Sequence, residues 1–127
     1  MIQSTKELYE KMLVTPDLCG KFKLIDKTIF WDLFDGFIIR ISIEPPATHF
    51  SIEKKLFWEF TDTVTHWHPE ENEIFEEVCN IGLKGNVLVI RRNFFFDSVL
   101  YMGKEEVCPY SPKKKWSWGK IYYLKAI

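Results

Sequence analysis

The segment Phe37–Glu44 alternates between apolar and more polar residues, and it constrains the fold more than any other part of the chain. One set of alternate residues is entirely apolar: Phe37, Ile39, Ile41 and Ile43. The other set is Ile38, Arg40, Ser42 and Glu44. Because successive side chains of a strand point to opposite faces, this pattern predicts a sheet that is covered on one side. Asp35-Gly36, directly before it, is typical of a two-residue hairpin turn, so we expect Thr28–Phe34 to pair with this strand.

Two segments have the periodicity of amphipathic helices. The first runs from Thr5 to Val14 and begins with a capping box, in which Ser4 and Glu7 satisfy free backbone N–H groups. The second runs from Pro69 to Asn80, because proline suits the first helical position, and Gly82 is the expected C-cap. Its apolar residues fall on one side of the helix: Ile74, Phe75, Val78 and Ile81.

The remaining strands predict the fold class. We expect strands at Phe50–Thr63, Val87–Arg92, Phe94–Tyr101 and Trp116–Leu124. In the first of these, Leu56, Trp58 and Phe60 should face inward, and Phe94-Phe95-Phe96 should fill the core on both sides of the sheet. The order α-β-β-β-α-β-β-β indicates one α+β domain over residues 1–127. It should contain a mainly antiparallel sheet of about five or six strands with two helices.

Composition excludes several classes of protein. The 17 basic and 18 acidic residues give a formal net charge of −1, so the chain lacks the basic field that non-specific nucleic-acid binding needs. No apolar run approaches the roughly 18 residues of a membrane-spanning helix. Three widely spaced cysteines, Cys19, Cys79 and Cys108, indicate reduced thiols rather than a disulfide framework. We therefore expect a cytoplasmic protein.

The histidines form the first candidate site. In an extended segment His66 and His68 point the same way, and Glu73 follows them. Two imidazoles and a carboxylate are suitable ligands for a divalent metal, and His49 is the remaining histidine. The competing interpretation is a polar loop between a strand and a helix. The metal hypothesis predicts a small metal-binding domain or metal-dependent enzyme, and no other cofactor is expected.

The second helix carries five carboxylates within eight residues: Glu70, Glu71, Glu73, Glu76 and Glu77. They either offset the helix dipole and solvate the outer face, or form a docking face for a basic partner protein. The sequence has no motif of nucleophilic catalysis. We therefore favour a non-enzymatic protein-binding domain, of the kind that neutralises bacterial toxins, with Glu70, Glu73, Glu76 and Glu77 in contact with the partner.

A third group combines lysines with indoles: Lys113, Lys114, Lys115, Trp116 and Trp118. Lysines contact phosphates and indoles stack on unpaired bases, so this group suggests single-stranded nucleic acid. Lysines near a strand also protect it against edge-to-edge aggregation. The balanced net charge and the absence of an RNA-binding motif favour this second interpretation.

Overall fold

The structure is a computed structural model that describes residues 2–58, 60–92, 97–112 and 120–126. It contains two helices and eight strands in the order α1 (Thr5–Leu13), β1 (Lys21–Ile25), β2 (Thr28–Asp32), β3 (Phe37–Glu44), β4 (Ala47–Phe57), β5 (Phe60–Trp67), α2 (Ile74–Gly82), β6 (Asn86–Arg92), β7 (Asp97–Lys104) and β8 (Lys120–Lys125). Short 3₁₀ turns lie at Glu71–Glu73 and Glu105–Val107.

All strand pairs are antiparallel, and they form two sheets rather than one. The first sheet has the order β1-β2-β3-β4-β5, and the second has the order β7-β6-β8. The predicted α+β class and its antiparallel pairing are therefore confirmed, with more strands than expected. The additional strand β1 has only five residues, which alternate between exposed and half-buried, and it pairs with β2 through a turn at Asp26 and Lys27.

The predicted hairpin between β2 and β3 is present, but its loop is longer than two residues. β2 ends at Asp32, and the loop contains Leu33 and Phe34, both of which are buried in the core. The N–H of Phe37 donates to the carbonyl of Phe34 at 3.0 Å, and Gly36 has a φ of +80°. Glycine is suited to this left-handed conformation. The two apolar loop residues extend the covered face beyond the strand.

The expectation of one strand over Phe50–Thr63 with inward aromatic residues is wrong. This region contains the end of β4 and the start of β5, which pair as a hairpin closed by Phe57 opposite Phe60. Leu56, Trp58 and Phe60 lie at its tip and are 52%, 92% and 60% exposed. The tip of the hairpin is exposed to solvent, so hydrophobicity alone predicted the wrong environment.

The helices begin and end at slightly different residues from those predicted. The Ser4 side chain accepts a hydrogen bond from the N–H of Glu7 at 3.1 Å, as expected for an N-cap. The second helix starts at Ile74 after a 3₁₀ turn, not at Pro69, and Gly82 is its last residue rather than its cap. The Asn86 side chain donates to two carbonyls of the last turn of α2 and replaces the expected glycine cap.

One hydrophobic core joins both sheets and both helices. Phe37 of the first sheet meets Tyr122 of the second edge to face, with ring centroids 5.6 Å apart. β6 is the central strand of the second sheet, and its residues Val87–Ile90 are fully buried. Arg92 at the end of β6 forms an ion pair with Asp62 of β5 at 2.8 Å. The two sheets are therefore connected by apolar packing and by an ion pair.

Candidate functional site

The five glutamates predicted to face outward form one surface, called here the acidic surface: Glu70, Glu71, Glu73, Glu76 and Glu77. The first four are exposed, and Glu77 is half-buried. On the other side of α2, Ile74, Val78 and Ile81 are fully buried in the core. None of the five carboxylates forms an ion pair with a described residue. The helix orientation is thus as predicted for most of the acidic surface.

Glu77 differs from its neighbours because it lies partly inside the protein. Burial raises the pKa of the Glu77 carboxyl, and the negative charges of Glu73 and Glu76 raise it further. Ionised Glu77 is therefore a carboxylate that has lost part of its hydration and has gained no positive partner among the described residues. A cation placed beside Glu77 would offset both the lost hydration and the repulsion from Glu73 and Glu76.

The three histidines come together on the open face of the first sheet. His49 of β4 and His68 have ring centroids 4.7 Å apart, and His66 and His68 have centroids 5.9 Å apart, both edge to face. β4 pairs with β5 so that Ser51 opposes His66, and this register brings His49 near the end of β5. All three side chains are exposed to solvent.

The histidine cluster has only part of what a metal centre needs. The Nδ1 atom of His68 lies 2.9 Å from the carbonyl oxygen of Thr48. A carbonyl only accepts, so Nδ1 carries the proton and Nε2 is left as the possible ligand atom. Within the four described ranges, no three histidine, cysteine or acidic side chains are arranged to hold a metal ion. Glu73, the predicted carboxylate ligand, is not brought into such an arrangement.

A groove between the two sheets was not predicted from the sequence. Its volume is about 520 Å³, and it is lined by the end of β5, by Glu77 and by Asp97 and residues 99–102 of β7. His66 and Trp67 form the β5 wall, so the groove lies beside the histidine cluster. No local pattern in the sequence relates Glu77 to Asp97, because the packing of α2 beside β7 brings them to one groove.

A second unpredicted feature is the aromatic tip, defined as Leu56, Phe57, Trp58 and Phe60 at the end of the β4–β5 hairpin. All four side chains are more than half exposed. The Phe57 ring lies 5.6 Å from the Trp58 ring and 5.3 Å from the Phe60 ring, centroid to centroid. Trp58 has a φ of +52°, a left-handed conformation that is unfavourable for a residue with a Cβ. The aromatic tip is therefore an apolar cluster that is exposed to solvent.

The other predicted features are less informative. Lys113, Lys114, Lys115, Trp116 and Trp118 lie outside the described residues, as do Phe94, Phe95 and Phe96. Cys19, Cys79 and Cys108 are free thiols. Burial raises the pKa of the Cys79 thiol, which makes it a weak nucleophile at neutral pH.

None of the helices in the described part of the chain is long and apolar enough to cross a membrane.

The chain was also compared with known proteins. No protein-family model matches the chain, and no curated protein or solved structure is significantly similar to it.

Proposed function

We propose that this chain is a non-enzymatic domain that binds another protein. The observation that carries the proposal is the aromatic tip, where four large apolar side chains are exposed together. Exposed apolar clusters mark interaction sites in soluble proteins, and tryptophan and other aromatic residues dominate the binding energy of interfaces. Trp58, which is 92% exposed, is the expected anchor in an apolar pocket of the partner.

The acidic surface indicates the charge of that partner. Glu70, Glu71, Glu73 and Glu76 are exposed and lack ion pairs with described residues. Such a surface attracts a basic protein and disfavours an acidic one, because charge complementarity controls association rate and specificity. A toxin-neutralising protein of bacteria is the functional class that we favour, since such a protein masks a basic surface of its target.

The aromatic tip and the acidic surface can contact the same partner. β5 runs from Phe60 at the tip to Trp67, shortly before the acidic surface. The strand spans roughly 23 Å, since each residue adds about 3.3 Å. A standard interface covers about 800 Å² on each protein, which corresponds to a patch roughly 30 Å across. A standard interface is therefore longer than the strand that separates the two features.

Binding to a purified partner tests the proposal. Proteins retained by the immobilised chain are identified, and the dissociation constant of the purified candidate is measured by calorimetry. We expect the double variant Phe57→Ser/Trp58→Ser to weaken binding at least about tenfold, because aromatic anchors contribute most of the binding energy. We expect Glu73→Lys/Glu76→Lys to weaken binding mainly at low salt, where charge attraction is strongest.

A matched control separates the acidic surface from net charge. Glu106→Lys/Glu44→Lys makes the same change in net charge with two exposed residues outside that surface, and it should leave the dissociation constant within about twofold. The proposal is rejected if both double variants of the previous experiment bind the purified partner as tightly as the natural chain.

The histidine cluster supports a second candidate function, metal binding. His68 donates from Nδ1 to a backbone carbonyl and leaves Nε2 as its second ring nitrogen, which is the usual arrangement of a metal-ligating histidine. Its ring also lies near those of His49 and His66. A zinc titration measured by calorimetry tests this candidate. Cys108→Ser is the control, because it keeps all three histidines. Binding that is unchanged in His49→Ala, His66→Ala and His68→Ala would exclude the cluster as the site.

A further inference from the structure

The groove between β5 and β7 contains two carboxylates from different elements. Glu77 comes from α2 and Asp97 from the start of β7, and both line the groove of about 520 Å³. Pockets of this volume are large enough to bury a small ligand or one long side chain with its backbone. Glu77 also belongs to the acidic surface, so the groove adjoins that surface.

Neither carboxylate has a cationic partner among residues 2–58, 60–92, 97–112 and 120–126. Arg92 lies directly opposite Asp97 in the β6–β7 ladder, where the two side chains share a face. The Arg92 guanidinium is nevertheless directed to Asp62 at 2.8 Å. Asp97 and Glu77 form no ion pair with any described residue. The negative charge at this groove is therefore available to an external cation.

Apart from the two carboxylates, Thr65 and His66, the walls of the groove are apolar and aromatic. Trp67 lies on the β5 side, and Val99, Leu100, Tyr101 and Met102 lie on the β7 side. Arginine and lysine carry their charge on long apolar stems, which are stabilised by contact with such walls. An aromatic ring near the charged group adds a cation–π contribution. The groove thus has complementary chemistry for both parts of a basic side chain.

We propose that this groove binds one basic side chain, arginine or lysine, of the partner protein. The carboxylates of Glu77 and Asp97 contact the charged group, and the stem lies along Trp67 and the β7 residues. This inference rests on the proposed protein-binding function and identifies the chemistry by which one part of the acidic surface recognises its partner. It also accounts for a half-buried glutamate that no described residue neutralises.

Nuclear magnetic resonance with small probes tests the inference without the partner. N-acetyl-arginine amide is titrated into the ¹⁵N-labelled chain, and N-acetyl-citrulline amide serves as the uncharged probe of nearly the same shape. We expect saturable shifts of the Trp67 indole and Leu100 amide signals with arginine, with a dissociation constant on the order of 1 mM for so small a ligand. Citrulline should produce no saturable shift.

Two variants locate the binding. Glu77→Gln and Asp97→Asn should each weaken arginine binding about tenfold, because each removes one charged contact. Glu71→Gln removes a charge from the exposed part of the acidic surface, and it should change the dissociation constant for arginine less than about twofold. Equal shifts with arginine and citrulline, or unchanged arginine binding in Glu77→Gln, would overturn the inference. The proposed function is judged separately, since it depends on partner binding by the Trp58 and Glu73/Glu76 variants.

Discussion

The indole of Trp31 packs directly against Gly82, the last residue of α2. A Cβ atom added at Gly82 would lie 2.4 Å from two carbons of the six-membered ring. The indole Nε1 donates to the carbonyl of Cys19 at 2.9 Å, and Trp31 is fully buried. Trp31 therefore holds the end of α2, the first sheet and the segment before β1 in one arrangement, and only glycine allows the helix to come this close.

The first prediction concerns this contact. Gly82→Ala should lower the free energy of unfolding by about 1–3 kcal/mol, the usual cost of forcing an extra carbon into a packed core. Alanine is the better helix former by roughly 1 kcal/mol, so helix propensity predicts the opposite sign. Equilibrium denaturation in urea measures the change. Exposed Glu76→Ala in the same helix should alter stability by less than about 0.5 kcal/mol.

A double-mutant cycle identifies the cause. The two indole carbons near Gly82 belong to the part of tryptophan that phenylalanine lacks. In a Trp31→Phe background, Gly82→Ala should therefore cost less than in the natural chain, although Trp31→Phe is itself destabilising. Equal costs in both backgrounds would show that the packing of Trp31 against Gly82 is not the source of the effect.

The second prediction concerns the left-handed backbone of Trp58. Trp58→Gly should raise the free energy of unfolding by about 0.5–1 kcal/mol, because glycine adopts a positive φ without steric cost. Phe57→Gly is the matched control, because Phe57 lies in β4 and has no positive φ. Glycine at this position should lower the free energy of unfolding. Urea denaturation of both variants checks the signs. A destabilised Trp58→Gly chain would contradict this prediction and show that the indole stabilises the fold.

The third prediction follows from the raised pKa of Glu77. A carboxyl with a higher pKa in the folded state destabilises the fold once it is ionised, so stability should fall as pH rises from about 4 through that raised pKa. Glu77→Gln should be more stable than the natural chain near neutral pH, and the difference should shrink below about pH 4. Urea denaturation curves of both chains between about pH 3 and pH 7 measure this difference in stability. Glu106→Gln, an exposed control, should show no such gain.

The fourth prediction concerns the ion pair between the sheets. The hydrogen bond from Arg92 lowers the pKa of Asp62 below its usual value. This contribution to stability is complete above about pH 4 and is lost as pH falls through the lowered pKa. Asp62→Asn should therefore flatten the acid side of the stability profile. Asp35→Asn changes an exposed acid without an ion pair to a described residue and should leave the profile unchanged.

Local periodicity predicted those elements whose faces differ in environment. The alternation of Phe37–Glu44 identified β3 and its inward face, because one side of the first sheet is covered and the other is open. The stripe of Ile74, Val78 and Ile81 identified the inner side of α2 for the same reason. Ser4 was identified as a helix cap because capping depends on residues only three positions apart.

Features that depend on tertiary arrangement were not predictable in this way. Hydrophobicity predicted that Leu56, Trp58 and Phe60 are buried, since no local rule distinguishes a core strand from an exposed hairpin tip. The division into two sheets depends on which strands pair, and the alternating pattern of a strand does not specify its partner. The groove of Glu77 and Asp97 exists only after α2 and β7 have packed together.

The position of β8 has a consequence for biosynthesis. Tyr122 and Leu124 belong to the core, and β8 covers one side of the central strand β6. A growing chain on the ribosome that stops before Lys120 has β6 with one neighbour and an apolar edge exposed to other nascent chains. Such edges promote aggregation, so the pairing of β8 with β6 removes this hazard once the strand is available to the folding chain.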